Sequence, residues 1–259
     1  MGYDVNAHEG VWRVAALTMM PPGELRALLS GDPRVAAPWV HAAANAGLIE
    51  GQVRLGRMLL TGEGMMRDEE AALEWFSRAA MRGDADAQNM LGRCHENGWG
   101  TCADAAQAAR WYARAAEAGH AWAQNNLGHM LLDGNGVARD RDAAFRWYKR
   151  AADQGHARAM SLCGRCCEEG WGTARDAAAA REWYRQSAEH GYFRGQFNYA
   201  SMLAAEGCIE GAAWWFEQAL NSSPPPTREN ILRVLAKSPH ARLRALILPA
   251  NAGATEGLL

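Results

Sequence analysis

Apolar and small residues along this chain recur at helical spacing in short segments, and the segments themselves recur every 36 residues. In the stretch 85–120, Ala87, Met90, Leu91 and Cys94 fall at i, i+3, i+4 and i+7, one stripe of an amphipathic helix. Gly98 and Gly100 end that helix, because glycine takes the positive φ of a helix C-terminus at little cost. Asp104 follows as an N-cap whose carboxylate can accept a backbone N–H. A second helix then carries Ala108, Trp111, Tyr112, Ala115 and Ala116 on its core face. The pattern predicts one antiparallel helix pair per period.

The spacing does not drift. Gly56, Gly92, Gly128 and Gly164 are 36 apart, as are Trp75, Trp111, Trp147 and Trp183. Asp68, Asp104, Asp140 and Asp176 keep the same interval, and Gly83, Gly119, Gly155 and Gly191 close the units. A fixed period of this length marks a repeat architecture. Gly92 inside a helix costs ~1 kcal/mol relative to alanine, so its recurrence predicts a neighbouring helix too close for a Cβ. An alanine stands three residues before each Trp, which pairs a large ring with small sites and makes Trp111 and Trp147 core residues. One helix pair cannot bury such a ring alone, so the units must stack into an α-solenoid.

The register reaches back to Trp39, Ala43, Ala44 and Gly47, each 36 before its counterpart. Residues 33–47 therefore read as the second helix of a degenerate, capping unit, with short helices expected before it at 8–20 and 23–29. A fifth unit starts at Phe193, with Tyr199-Ala200 in place of Leu-Gly. Its turn is four residues shorter, since Trp215-Phe216 comes 32 after Trp183-Tyr184. Pro224-Pro225-Pro226 ends the periodic region, Thr227 is placed to cap a helix from Arg228 to Lys237, and Pro239 to Leu248 adds another. The expected organisation is N-terminal helices and a half-repeat over 1–47, repeats over 48–222, capping helices over 223–248 and a disordered tail over 249–259.

Leu-Gly within the first helix, G-x-G, a following Asp, W-Y-x-x-A-A and a closing Gly together resemble the Sel-like repeat family, a longer-period relative of the tetratricopeptide repeat. The resemblance covers roughly Trp39 to Leu220. It implies an all-α, right-handed superhelix whose first helices line a concave groove. It also implies a non-enzymatic adaptor or scaffold that binds a protein or peptide partner. The alternative is a hydrolase or small-molecule-binding solenoid, since penicillin-binding or β-lactamase-like activity is ascribed to some members.

By the same resemblance, the residue after Leu-Gly faces the groove, giving a basic row of Arg57, Arg93, His129 and Arg165. One turn on stand Glu96 and Glu168, one turn earlier Asn89, Asn125 and Ser161, and Trp122 and Arg158 sit at the rim. On one reading each Arg pairs with the Glu three residues on, across a solvated face. On the other, the row takes an acidic or carboxylate-ended segment through the parallel hydrogen bonds of guanidinium and carboxylate. The glutamates then orient the arginines, and Asn89 and Asn125 hold the ligand backbone. Trp99 and Trp171 lie between glycines where other units carry Glu63 and Asn135. They are either interface anchors or rings folded back over their own units. The second and fourth units resemble each other most: GRCHENGWGT from Gly92 is answered 72 residues later by GRCCEEGWGT. That correspondence points to duplication of a two-unit block.

Composition removes other classes. A net charge of −2 argues against non-specific nucleic-acid binding, which needs many phosphate-neutralising cations. No cationic leader with an apolar run opens the chain and no apolar run approaches a membrane span, so a soluble, cytoplasmic protein without membrane insertion is expected. Cys94 and Cys166 occupy slots held elsewhere by Met, and Cys163 replaces a Leu, which makes them core residues in a reducing compartment. The pairs Cys94-His95 and Cys166-Cys167 stand two units apart, too far to share a metal. No S-x-x-K, G-x-S-x-G or H-E-x-x-H occurs, so no catalytic residue and no cofactor is assigned. His120 and His156 follow closing glycines, where Asp84 and Tyr192 stand in other units, and read as a solvated turn.

Overall fold

The computed structural model describes residues 31–247 and scattered positions between Arg13 and Leu28. The tail 249–259 lies outside the described residues, as do most of the helices expected at 8–20 and 23–29. Among the described residues the regular structure is helical, with no strand. The chain forms an all-α solenoid of helix-turn-helix repeats and divides into two compact units, 1–139 and 140–259.

The first unit contains α1 (Pro33–Asn45), α2 (Ile49–Thr61), α3 (Glu69–Met81), α4 (Ala85–Asn97), α5 (Ala105–Glu117) and α6 (Ala121–Asp133), each packed on the next. The second contains α7 (Arg141–Asp153), α8 (Ala157–Glu169), α9 (Ala177–Glu189), α10 (Phe193–Ala205) and α11 (Ile209–Ser222), also packed in succession. It closes with α12 (Pro225–Ala236), α13 (Ala241–Arg244) and a 3-10 turn, Ala245–Ile247.

Second helices start where their aspartates permit. The carboxylates of Asp68, Asp104, Asp140 and Asp176 accept backbone N–H groups three residues on, at 2.9, 3.0, 2.8 and 2.9 Å. Three first helices, α4, α6 and α8, start in the same way, which corrects the reading of His120 and His156 as solvated turns. Asp84 accepts from the Ala87 N–H at 2.7 Å, and the Nδ1 atoms of His120 and His156 accept from Ala123 and Ala159 at 3.1 and 3.2 Å. Asp and His share the property that cap requires, a lone pair at short reach, while Leu48 and Tyr192 start α2 and α10 without a side-chain cap.

The recurrent mid-helix glycine makes the close approach its position predicts, and the neighbour is the second helix of the same repeat. A Cβ on Gly56 would stand 2.6 Å from the Phe76 ring, and on Gly92 or Gly164 2.7 Å from Tyr112 or Tyr184. Those rings, not the tryptophans, fill the interior: Phe76, Tyr112 and Tyr148 are 0% exposed. Trp75, Trp111 and Trp147 are half-buried. Each is covered from outside by the guanidinium three residues on, with Arg78, Arg114 and Arg150 4.4, 4.5 and 4.6 Å from the ring centroids. The expectation that Trp111 and Trp147 are core residues is corrected accordingly.

In the G-x-G turns the first glycine is a left-handed helix cap, and the second presses on the preceding repeat. Gly64, Gly100 and Gly172 have positive φ, and a Cβ there would lie 2.4, 2.2 and 2.0 Å from the carbonyl oxygens of Pro33, Glu69 and Arg141. Pro33 thus holds against Gly64 the place that Glu69 holds against Gly100, which gives α1 the position of a second helix. At the other end α12 begins at Pro225, three residues before the expected Arg228, with Pro224 rather than Thr227 at the cap. Proline in a first turn forfeits only an N–H that has no partner there. Ile231, Leu235 and Leu243 join the core formed by Leu203 and Phe216.

Candidate interaction surface

Because the glycine of each first helix turns inward to the ring, the next residue points out. Arg57, Arg93 and Arg165 are exposed and His129 is half-buried. Their surroundings differ. In α2, Arg57 Nη2 lies 3.1 Å from Asp86 Oδ2, and Asp86 Oδ1 lies 2.9 Å from His120 Nε2. With Nδ1 accepting at the cap, Nε2 carries the proton and donates to Asp86. Arg57 is therefore already paired within its own unit, in a half-exposed ion pair worth at most about 1 kcal/mol.

Arg93 is placed otherwise. Its guanidinium stands 5.1 Å from the Trp99 ring centroid, with Nη1 3.7 Å from Met90 Sδ. Glu96, expected to pair with or orient it, instead accepts the Tyr112 hydroxyl at 2.6 Å. Burial, and then that bond to Glu96, push the Tyr112 phenol far above its usual range, so it stays a donor. Trp99 is half-buried and packs on the core containing Phe76 and Cys94, the folded-back alternative. Asn89 and Asn125 are interior, 7% and 0% exposed. Asn126 Nδ2 donates to Asn89 Oδ1 at 3.2 Å, and Asn125 Nδ2 donates to Asn126 Oδ1 at 3.3 Å. This amide chain ties α4 to α6, so neither asparagine faces a ligand as expected. Trp122 is 56% exposed at the start of α6.

The second unit repeats the arrangement. Arg165 stands 4.8 Å from the Trp171 centroid, and Arg141, from the preceding repeat, stands 5.8 Å from the same ring. Glu168 accepts the Tyr184 hydroxyl at 2.7 Å, and burial again leads in raising that phenol. Arg158 is half-buried. Beside Glu168 a cleft of about 400 Å³ opens towards Phe197 and Met202 of α10.

One recurrent group was not singled out from the sequence. Gln52, Gln88, Gln124 and Gln196, each fourth in its first helix, are buried, and their Nε2 atoms donate to the carbonyls of Ala44, Ala80, Ala116 and Ala188 at 3.4, 3.3, 3.2 and 3.5 Å. Those carbonyls lie at the end of the preceding helix, where acceptors lack helical partners. The signal was a long polar residue held in register inside a small-residue stripe. Chemistry of the nucleophilic kind is poorly served by the buried cysteines: desolvation pushes Cys94 and Cys166 up to about 12 and raises Cys163 and Cys167 as well. Among the described residues no three metal-binding side chains gather, and no helix is long and apolar enough to cross a membrane.

The model of the Sel1 repeat matches residues 49–84, 85–120, 123–156 and 157–192. A Sel1 repeat protein of Oxalobacter formigenes is 28% identical with a TM-score of 0.72, the match covering 84% of this chain and 97% of that one. A protective antigen of uropathogenic Escherichia coli with an SLR fold is 26% identical with a TM-score of 0.69, over 93% of this chain. The match spans only 52% of that longer protein. A Sel1 repeat protein of Klebsiella pneumoniae, 21% identical with a TM-score of 0.52 over 75% of this chain and 97% of that one, shares the fold. No curated protein matches the chain.

Proposed function

Since the chain belongs to the Sel1 repeat family, we propose that it is a non-enzymatic adaptor that binds a protein or peptide partner along the outward row of its first helices. Such repeats commonly serve as interaction scaffolds. The observation that carries the reading is a pair of pre-set constellations: Arg93 on Trp99 with Glu96 on Tyr112, and Arg165 on Trp171 with Glu168 on Tyr184. Each holds charged groups on a rigid helix face before any ligand arrives, which lowers the ordering cost of binding. Each guanidinium lies beside a ring that accepts no conventional hydrogen bond, and with five N–H donors it keeps donors for carboxylates of a partner segment. Arg57, paired with Asp86, contributes less. The chain's free cysteines suit a reducing compartment such as the cytoplasm.

The test begins with affinity capture from the native host and identification of what is retained. The affinity of the isolated partner is then measured against Arg93→Gln/Arg165→Gln at low and high salt. The double variant is expected to bind about tenfold more weakly and with less salt dependence. Unchanged affinity together with unchanged salt dependence would place the contact elsewhere.

A further inference from the structure

We propose that the cleft between α8 and α10 receives a basic side chain, arginine or lysine, of the protein partner. The inference rests on the adaptor reading and supplies the chemistry of one contact. A cleft of about 400 Å³ falls within the size range of ligand sites. Its apolar wall is formed by Phe197 and Met202, and the Phe197 ring is fixed edge-on against Phe216, with centroids 5.7 Å apart. Its polar border carries Glu168 and Glu206.

The charge balance at that border gives the sign of the occupant. On an ordinary helix surface Arg165 would neutralise Glu168 three residues on. Here Trp171 holds the guanidinium, and among the described residues no cation pairs with Glu168. Its one hydrogen bond comes from the Tyr184 hydroxyl, which orients the carboxylate without giving it a contact ion pair. Glu206 is balanced by Arg181 at 3.2 Å. The cleft therefore combines an apolar wall with one oriented carboxylate that has no contact ion pair. A long cationic side chain matches both, its methylene stem against Phe197 and Met202 and its head at Glu168. An anionic group would meet two carboxylates, and an apolar one would leave Glu168 unanswered.

The site belongs to this repeat alone. Where the fourth repeat has Glu168, the first and third have Leu60 and Leu132. The second has Glu96, but in register with Phe197 and Ser201 it carries Asn125 and His129, which removes the aromatic wall.

The test uses the full chain and three capped octapeptides that differ only at a central arginine, citrulline or glutamate, followed through the Met202 methyl and Ser201 amide resonances. The arginine peptide is expected to shift both signals, with citrulline weaker by up to about fivefold. Glu168→Gln should weaken the arginine peptide by a similar factor, and Glu169→Gln should leave it unchanged. Equal responses to all three peptides, no response at Met202, or arginine binding indifferent to Glu168→Gln would each overturn the proposal. If any of these occurs while the native partner still depends on Arg93 and Arg165, the basic side chain is excluded and the adaptor reading stands.

Discussion

At the scale of single residues, the Trp-Tyr pair divides its tasks in a way the periodicity could not reveal. Both rings recur every 36 residues, and Ala108 lies three residues before Trp111 and four before Tyr112, so one small site serves either ring. Only the close contact at Gly92 decides that Tyr112 points inward. Tyr112→Ala is therefore expected to cost ~3–5 kcal/mol in a urea titration, against ~1–2 for Trp111→Ala, whose ring is only half-buried. A loss at Trp111 equal to that at Tyr112 would contradict this division. The same limit explains the arginines. Spacing along one helix offers Arg93 to Glu96, whereas Trp99 lies beyond the helix end and returns only because Gly98 and Gly100 hold positive φ. Sequence patterns register neighbours on a helix far better than neighbours across a turn.

At the scale of elements, the starts of the second helices were legible from their aspartates, whereas the caps of the first helices were missed at Asp84, His120 and His156 alike. A position that also holds Leu48 and Tyr192, which do not cap, shows no capping pattern. The buried glutamines were missed because a side chain tied to a main-chain carbonyl leaves no partner to read. The interior hydroxyls and thiols add a dependence on alkali. Tyr112, Tyr184, Cys94 and Cys166 all have raised folded-state values, chiefly from burial. Their contribution is thus complete below the unfolded values, about 8.5 for Cys and 10 for Tyr, and is lost as pH rises towards the folded ones. The urea midpoint should hold between pH 7 and 8 and then fall progressively from about pH 9 towards 12. Tyr112→Phe should flatten that fall above about pH 10, and an unflattened slope would show that the phenol does not contribute.

At the scale of the whole molecule, the period and the helix order were open to reading because each is fixed by spacing. The disposition of charge was not, since it depends on which aromatic takes which arginine. Stability in such a chain is a sum over repeats and their neighbours. Gly172→Ala combines a positive φ with a Cβ 2.0 Å from the Arg141 carbonyl oxygen, a strain of at least ~1–3 kcal/mol. Hydrogen exchange is expected to quicken in α7, α8 and α9 while α1 to α3 keep their protection. Uniform acceleration along the chain would mean that the repeats unfold as one. At Gly64, Gly100 and Gly172 the contact runs from a glycine to a main-chain carbonyl, and main chains are alike whatever side chains they bear. A seam of that kind is indifferent to the lettering on either side of it. Lineages can therefore lengthen, shorten or reshuffle such a chain by whole cassettes, and rewrite its outward face one cassette at a time, without renegotiating the joints.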